Sequence, residues 1–152
     1  MGILPPRGYV KLNMDASFDL DLLKGTARAI IRDDRGEFID ACNWKIYFCH
    51  DVVSAEATAL RYGLSLEQTI GCNKIIVNSD NIEVVNTMNE GGRSAGPAGA
   101  IFDDCYHMAC EFSYTSFMRC PREANMIAHE LANLAKGPSP SCNSFFMNLP
   151  LN

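Results

Sequence analysis

A chain of 152 residues is long enough for one domain with a substantial core. Hydrophobic residues at 47% and charged residues at 20% fit a globular chain and exclude a wholly disordered one, and no apolar run reaches the length of a membrane-spanning helix. The net charge of −5 argues against nucleic-acid binding through bulk basicity, although two bound divalent cations would offset most of it.

Residues 1–8 contain Pro5, Pro6 and Arg7, which break any charged-then-apolar leader. Pro6 also stands where a myristoylation signal wants Ser or Thr. The expectation is a protein that is not secreted but intracellular, nuclear or cytoplasmic. The seven cysteines are odd in number and scattered, which reads as free thiols in a reducing compartment.

Residues 9–18 (YVKLNMDASF) alternate as a strand, with Val10, Leu12 and Met14 on one face and Lys11, Asn13 and Asp15 on the other. A carboxylate on such a strand is costly near a core unless a metal or partner neutralises it. Residues 19–24 read as a turn, and residues 25–32 as a second strand around Ala29-Ile30-Ile31. Asp33-Asp34-Arg35-Gly36 is a hairpin turn, and residues 37–46 return as a third strand, completing an antiparallel meander.

At Asp51 the spacing becomes helical, with Ala57, Leu60 and Leu64 on one stripe. Asp51 or Ser54 caps its start and Gly71 ends it. Ile75-Ile76-Val77, within residues 74–78, is an unbroken apolar trio of the kind buried on both faces in a parallel pair. It ends at Ser79-Asp80, after which Ile82, Val85 and Met88 open another helical face. A strand, a helix and a parallel strand form a right-handed crossover. A Gly-rich loop over 90–99 leads to a helix over 100–110, a strand over 111–117 and a loop over 119–123. A last helix over 124–136 carries the stripe Ala124, Ala128, Leu131 and Ala135 and stops at Gly137-Pro138. The order predicts an α/β fold: a mixed sheet of five strands, the first three antiparallel, with helices on both faces. Residues 9–136 form the domain, 1–8 a lead-in and 137–152 a tail.

Three carboxylates stand out. Asp15 closes the first strand, Asp80 follows the fourth, and Glu56 sits in the early turns of the first helix. If strands one and four are neighbours, both Asp side chains lie at one end of the sheet, where open α/β sheets bind ligands. Clustered carboxylates repel one another, and hard divalent cations resolve that repulsion. Two such ions can clamp the attacking and leaving oxygens of a phosphodiester.

The stretches PPRGYVKLNMDASF, IIRDDRGEFIDA, SAEATALRYGL, IIVNSDNIEVV and PREANMIAHELANLA, in this order and spacing, resemble the plant ribonuclease H-like domain. This is the type found alone or at the end of retrotransposon-derived polyproteins. The resemblance covers roughly residues 5–136. It implies strand order 3-2-1-4-5 and endonucleolytic cleavage of RNA in an RNA–DNA hybrid, with two Mg²⁺ or Mn²⁺ ions, leaving a 5′-phosphate and a free 3′-hydroxyl. Its catalytic and metal-binding set falls on Asp15, Glu56, Asp80 and, where the family carries a fourth Asp, His129. Imidazole is a poor Mg²⁺ ligand and a better one for Mn²⁺, or else a proton relay. Arg28 replaces a second strand-two Gly, and Ile82 replaces a polar amide. The resemblance points to Arg28, Arg119 and Arg122 as phosphate contacts, with Asn13, Asn81 and Asn125 as polar support. The rival reading is a catalytically weak domain that binds nucleic acid or a protein partner. A monomer is expected. Cys105 and His107 would not share a helix face, and with Cys110 they find no second pair to complete a zinc site; Trp44 and Tyr47 fit packing better than base stacking.

Overall fold

The computed structural model describes residues 4–126 and Glu130. The elements are β1 (Val10–Asp19), β2 (Lys24–Arg32), β3 (Phe38–Ile46), α1 (Val52–Ile70), β4 (Lys74–Ser79), α2 (Ile82–Asn89), α3 (Gly99–Cys110) and β5 (Tyr114–Arg119). The five strands form one sheet in the order β3-β2-β1-β4-β5. β1 pairs antiparallel with β2, and β2 with β3. β1 pairs parallel with β4, and β4 with β5. Residues 122–126 and Glu130 are helical; the other residues of the expected helix over 124–136, His129 included, lie outside the described residues, as does the tail over 137–152.

Helix α1 lies across β1 and β2 with α3 beside it. Its expected stripe is correct: Ala57, Leu60 and Leu64 are fully buried. They meet Leu12 and Met14 from β1 and Phe102 from α3 in the main core. Gly63 sets the closeness of helix to strand, because a Cβ there would stand 3.0 Å from Leu12 Cδ2. Asp51 caps the start, accepting the Ser54 N–H at 2.7 Å. Gly71 ends the helix in the left-handed conformation at φ 87, which glycine adopts without a Cβ penalty. Among the described residues, no helix is long and apolar enough to cross a membrane.

Several expectations need correction. The last strand begins at Tyr114, not 111, and runs on through Arg119. Ser113 is clasped to Asn73, whose carbonyl accepts its N–H at 3.0 Å and its hydroxyl at 3.2 Å. That clasp sets Lys74 opposite Tyr114. In α2 the buried side chains are Val84, Val85 and Met88, whereas Ile82 is exposed because it follows the cap directly, before the helix reaches the sheet. Trp44 is buried as expected, but Tyr47, one residue beyond β3, is exposed. Cys49, Cys72, Cys105, Cys110 and Cys120 are free thiols, but Cys42 is disulfide-bonded; a cysteine count carries no information on which Cβ atoms face each other.

Candidate active site

The sheet register assembles the site. Asn13 of β1 lies beside Asn78 of β4 in the parallel pair. Two residues further along each segment come Asp15, which lies midway along β1 instead of closing it as expected, and Asp80, which follows the last residue of β4; both therefore emerge side by side where the β1–β4 pairing ends. The capped first turns of α1 place Glu56 beneath them, only 4% exposed. One carboxylate oxygen from each of Asp15, Glu56 and Asp80 lies within 4.8 Å of the others, the one such acidic, cysteine or histidine group among the described residues.

Glu56 carries the largest electrostatic strain. Burial, then the charges of Asp15 and Asp80, push its carboxyl up to about 8. The Ala16 backbone N–H bonds to the carboxylate and, with the positive charge of Arg122, works in the opposite direction. Its other oxygen, Oε2, is buried and has no hydrogen-bond partner. Asp80 is also raised, by burial and then by Asp15, against the pull of Arg122 and Arg119. Three acids this close, with one buried oxygen unpartnered, are the donor set of a hard divalent cation. The residues present therefore fit Mg²⁺ or Mn²⁺.

The flanking residues divide into two groups. Arg119 and Arg122 are exposed at the rim, where their charge reaches Asp80 and, from Arg122, Glu56. Arg28 lies directly across the antiparallel pair from Asp15, with Nη2 3.4 Å from Oδ2. Asn13 and Asn125 do not present themselves to a ligand. They are 6% and 1% exposed. Asn13 Nδ2 donates to Asn125 Oδ1 at 3.3 Å, and Asn125 Nδ2 donates to the Met14 carbonyl at 3.0 Å. The pair pins the helical segment 122–126 onto β1 one residue from Asp15, a positioning role in place of the expected nucleic-acid contact. Asn81 caps α2, its side chain accepting the Val84 N–H at 3.1 Å. Sequence reasoning missed the Ala16 N–H, which no side-chain pattern reveals. It also missed a second buried acid on α1, Glu67, whose signal was its helical spacing from Glu56.

A family model described as reverse transcriptase-like matches residues 13–135. Among curated proteins, none matches the sequence. The fold is similar to several solved structures. RNase H1 from the halophilic archaeon Halobacterium salinarum superposes with a TM-score of 0.74 at 17% identity, covering 85% of this chain and 99% of that one. The N-terminal RNase H domain of a Mycobacterium tuberculosis protein gives 0.73 at 20% identity, covering 84% and 92%. LC11-RNase H1, in complex with an RNA/DNA hybrid, gives 0.71 at 21% identity, covering 80% and 92%.

Proposed function

Since the chain belongs to the reverse transcriptase-like family of RNase H-like domains, we propose that it is a nuclease that hydrolyses the RNA strand of RNA–DNA hybrids at Asp15, Glu56 and Asp80. The observation that carries this reading is the convergence of those three carboxylates to within 4.8 Å, with Glu56 Oε2 buried and unpartnered. Asp15, Glu56 and Asp80 would hold Mg²⁺ or Mn²⁺, and His129 takes the fourth position of the set by resemblance. Two such ions, when bound, activate water and stabilise the leaving oxygen. Water attacks phosphorus, the P–O3′ bond breaks, and the leaving oxygen takes a proton, giving a 5′-phosphate and a 3′-hydroxyl. The Ala16 N–H holds Glu56 in place. The exposed guanidinium groups of Arg119 and Arg122 attract the phosphodiester to a site that is otherwise acidic. A hybrid of the kind bound by LC11-RNase H1 is the substrate this supports.

Incubation with an end-labelled hybrid in Mg²⁺, and separately in Mn²⁺, should give cleavage that Asp15→Asn abolishes. Cleavage in neither metal would leave the domain as a binding module for nucleic acid or a protein partner, the reading that the Arg28–Asp15 ion pair favours. His129→Asp should raise the Mg²⁺-supported rate relative to the Mn²⁺-supported rate, because a carboxylate is the better Mg²⁺ ligand. An unchanged ratio would show that His129 does not act as a metal ligand.

A further inference from the structure

Arg28 occupies a position that neither the cation site nor ordinary surface chemistry requires. Pairing of β1 with β2 sets it directly opposite Asp15, so the two side chains leave the sheet on the same face. The carboxylate is largely enclosed and the guanidinium lies at the mouth, with side-chain exposures of 16% and 38%. Arg119 and Arg122 act on Asp80 and Glu56 through charge alone. Arg28 is the cation in direct contact with the acidic cluster among the described residues.

The chemistry of that contact has two consequences. A guanidinium stays charged at every physiological pH, so it does not release Asp15 by deprotonation. It is also a flat fork of donors that matches phosphate as well as carboxylate. A divalent cation arriving at Asp15 meets this fixed positive charge. The Arg28 head is partly in solvent and can swing away without disturbing the core.

We infer that Arg28 is an internal counter-ion that competes with the divalent cation for Asp15 and, once displaced, takes a phosphodiester oxygen of the nucleic acid. Metal and nucleic acid then bind with positive coupling through one side chain. Each ligand draws Arg28 into the arrangement that favours the other, and the coupling is reciprocal. The inference rests on the cation-site reading given above.

The test is Mn²⁺ titration by calorimetry, with bound Mn²⁺ counted by electron paramagnetic resonance. It is done on the whole chain, alone and with a hybrid whose RNA strand is 2′-O-methylated against cleavage. Without nucleic acid, Arg28→Gln should bind Mn²⁺ about 5-fold or more tightly than the parent, the lower end of ordinary coupling. The hybrid should tighten Mn²⁺ binding to the parent by a factor larger, by about the same 5-fold, than that by which it tightens binding to Arg28→Gln, where only direct phosphate ligation of the ion remains. Arg28→Lys keeps the charge without the fork and should fall between them. Arg35→Gln removes one positive charge in the β2–β3 turn and should behave as the parent. Equal Mn²⁺ affinity for parent and Arg28→Gln, or coupling undiminished in Arg28→Gln, overturns the inference while leaving the cation site standing. Absence of Mn²⁺ binding in every variant overturns both. Circular-dichroism melts confirm that each variant is folded before titration.

Discussion

Replacing Glu56 with Gln is expected to reduce hybrid cleavage by at least about 10²-fold, the scale for losing a preorganised charged group at a reaction centre. The same change should stabilise the metal-free protein. Glu56 is buried against two other acids, and its carboxyl is pushed up to about 8 from the ordinary 4.5. A folded-state value above the unfolded one means that the protonated form is favoured on folding. The stabilising contribution is complete below about 4.5 and is lost as pH rises through about 8. The amide has no charge to desolvate or to repel Asp15 and Asp80, and its oxygen can still accept the Ala16 N–H. The variant should therefore match the parent near pH 4.5 and exceed it by up to ~5 kcal/mol at pH 9, since each tenfold rise in proton affinity on folding is worth about 1.4 kcal/mol. For a chain of this size that is a rise in Tm of roughly 10–20 °C. Thermal melts in chelator at the two pH values measure it. A variant that melts at or below the parent at pH 9 would refute this electrostatic account.

Mg²⁺ should narrow that gap, because an ion that binds only the folded parent stabilises it by mass action. The site thus illustrates a general conflict: the arrangement that binds the cation is destabilising until the cation arrives.

The three acids were legible in the sequence for a definite reason. Asp15 stands on the polar face of an alternating strand and Asp80 follows an apolar one, and parallel pairing of those strands is enough to bring them together. Glu56 follows from a helix whose start is marked by Asp51. The contacts around them were not legible, because they depend on register and not on pattern. Arg28 was visible as an unusual residue in β2, but its pairing with Asp15 depends on the hairpin aligning residues 15 and 28. Asn13 and Asn125 were visible as polar groups near the site. Only the docking of segment 122–126 turns them inward, where Asn13 donates to Asn125 and Asn125 donates to the Met14 carbonyl. Polar character read along a chain does not separate a ligand contact from a buried hydrogen bond, since both need the same atoms. The start of β5 was misplaced for a similar reason: the Asn73–Ser113 clasp that delays it is a contact between distant segments.

Glu67 gives the second large effect and a contrast with Glu56. It lies eleven residues, about three turns, further along α1, on the same stripe. It is 0% exposed, and neither carboxylate oxygen has a hydrogen-bond partner stronger than the neighbouring Cys72 thiol. The Cys72 thiol beside it is a weak donor. Its position near the C-terminal end of the helix disfavours negative charge further. Burial pushes its carboxyl up to about 7, so its stabilising contribution is complete below about 4.5 and is lost as pH rises through about 7. Glu67→Gln should therefore equal the parent near pH 4.5 and exceed it by on the order of 3 kcal/mol at pH 8, read from urea unfolding at each pH. A constant difference across that range would refute the ionisation account. Among the described residues, Glu67 belongs to no group of acids, cysteines or histidines that could hold a cation. Mg²⁺ should accordingly stabilise Glu67→Gln as much as it stabilises the parent, while Glu56→Gln loses that response. Two buried glutamates on one helix face are thus distinguished by their neighbours, since only Glu56 has acidic partners with which to share a cation.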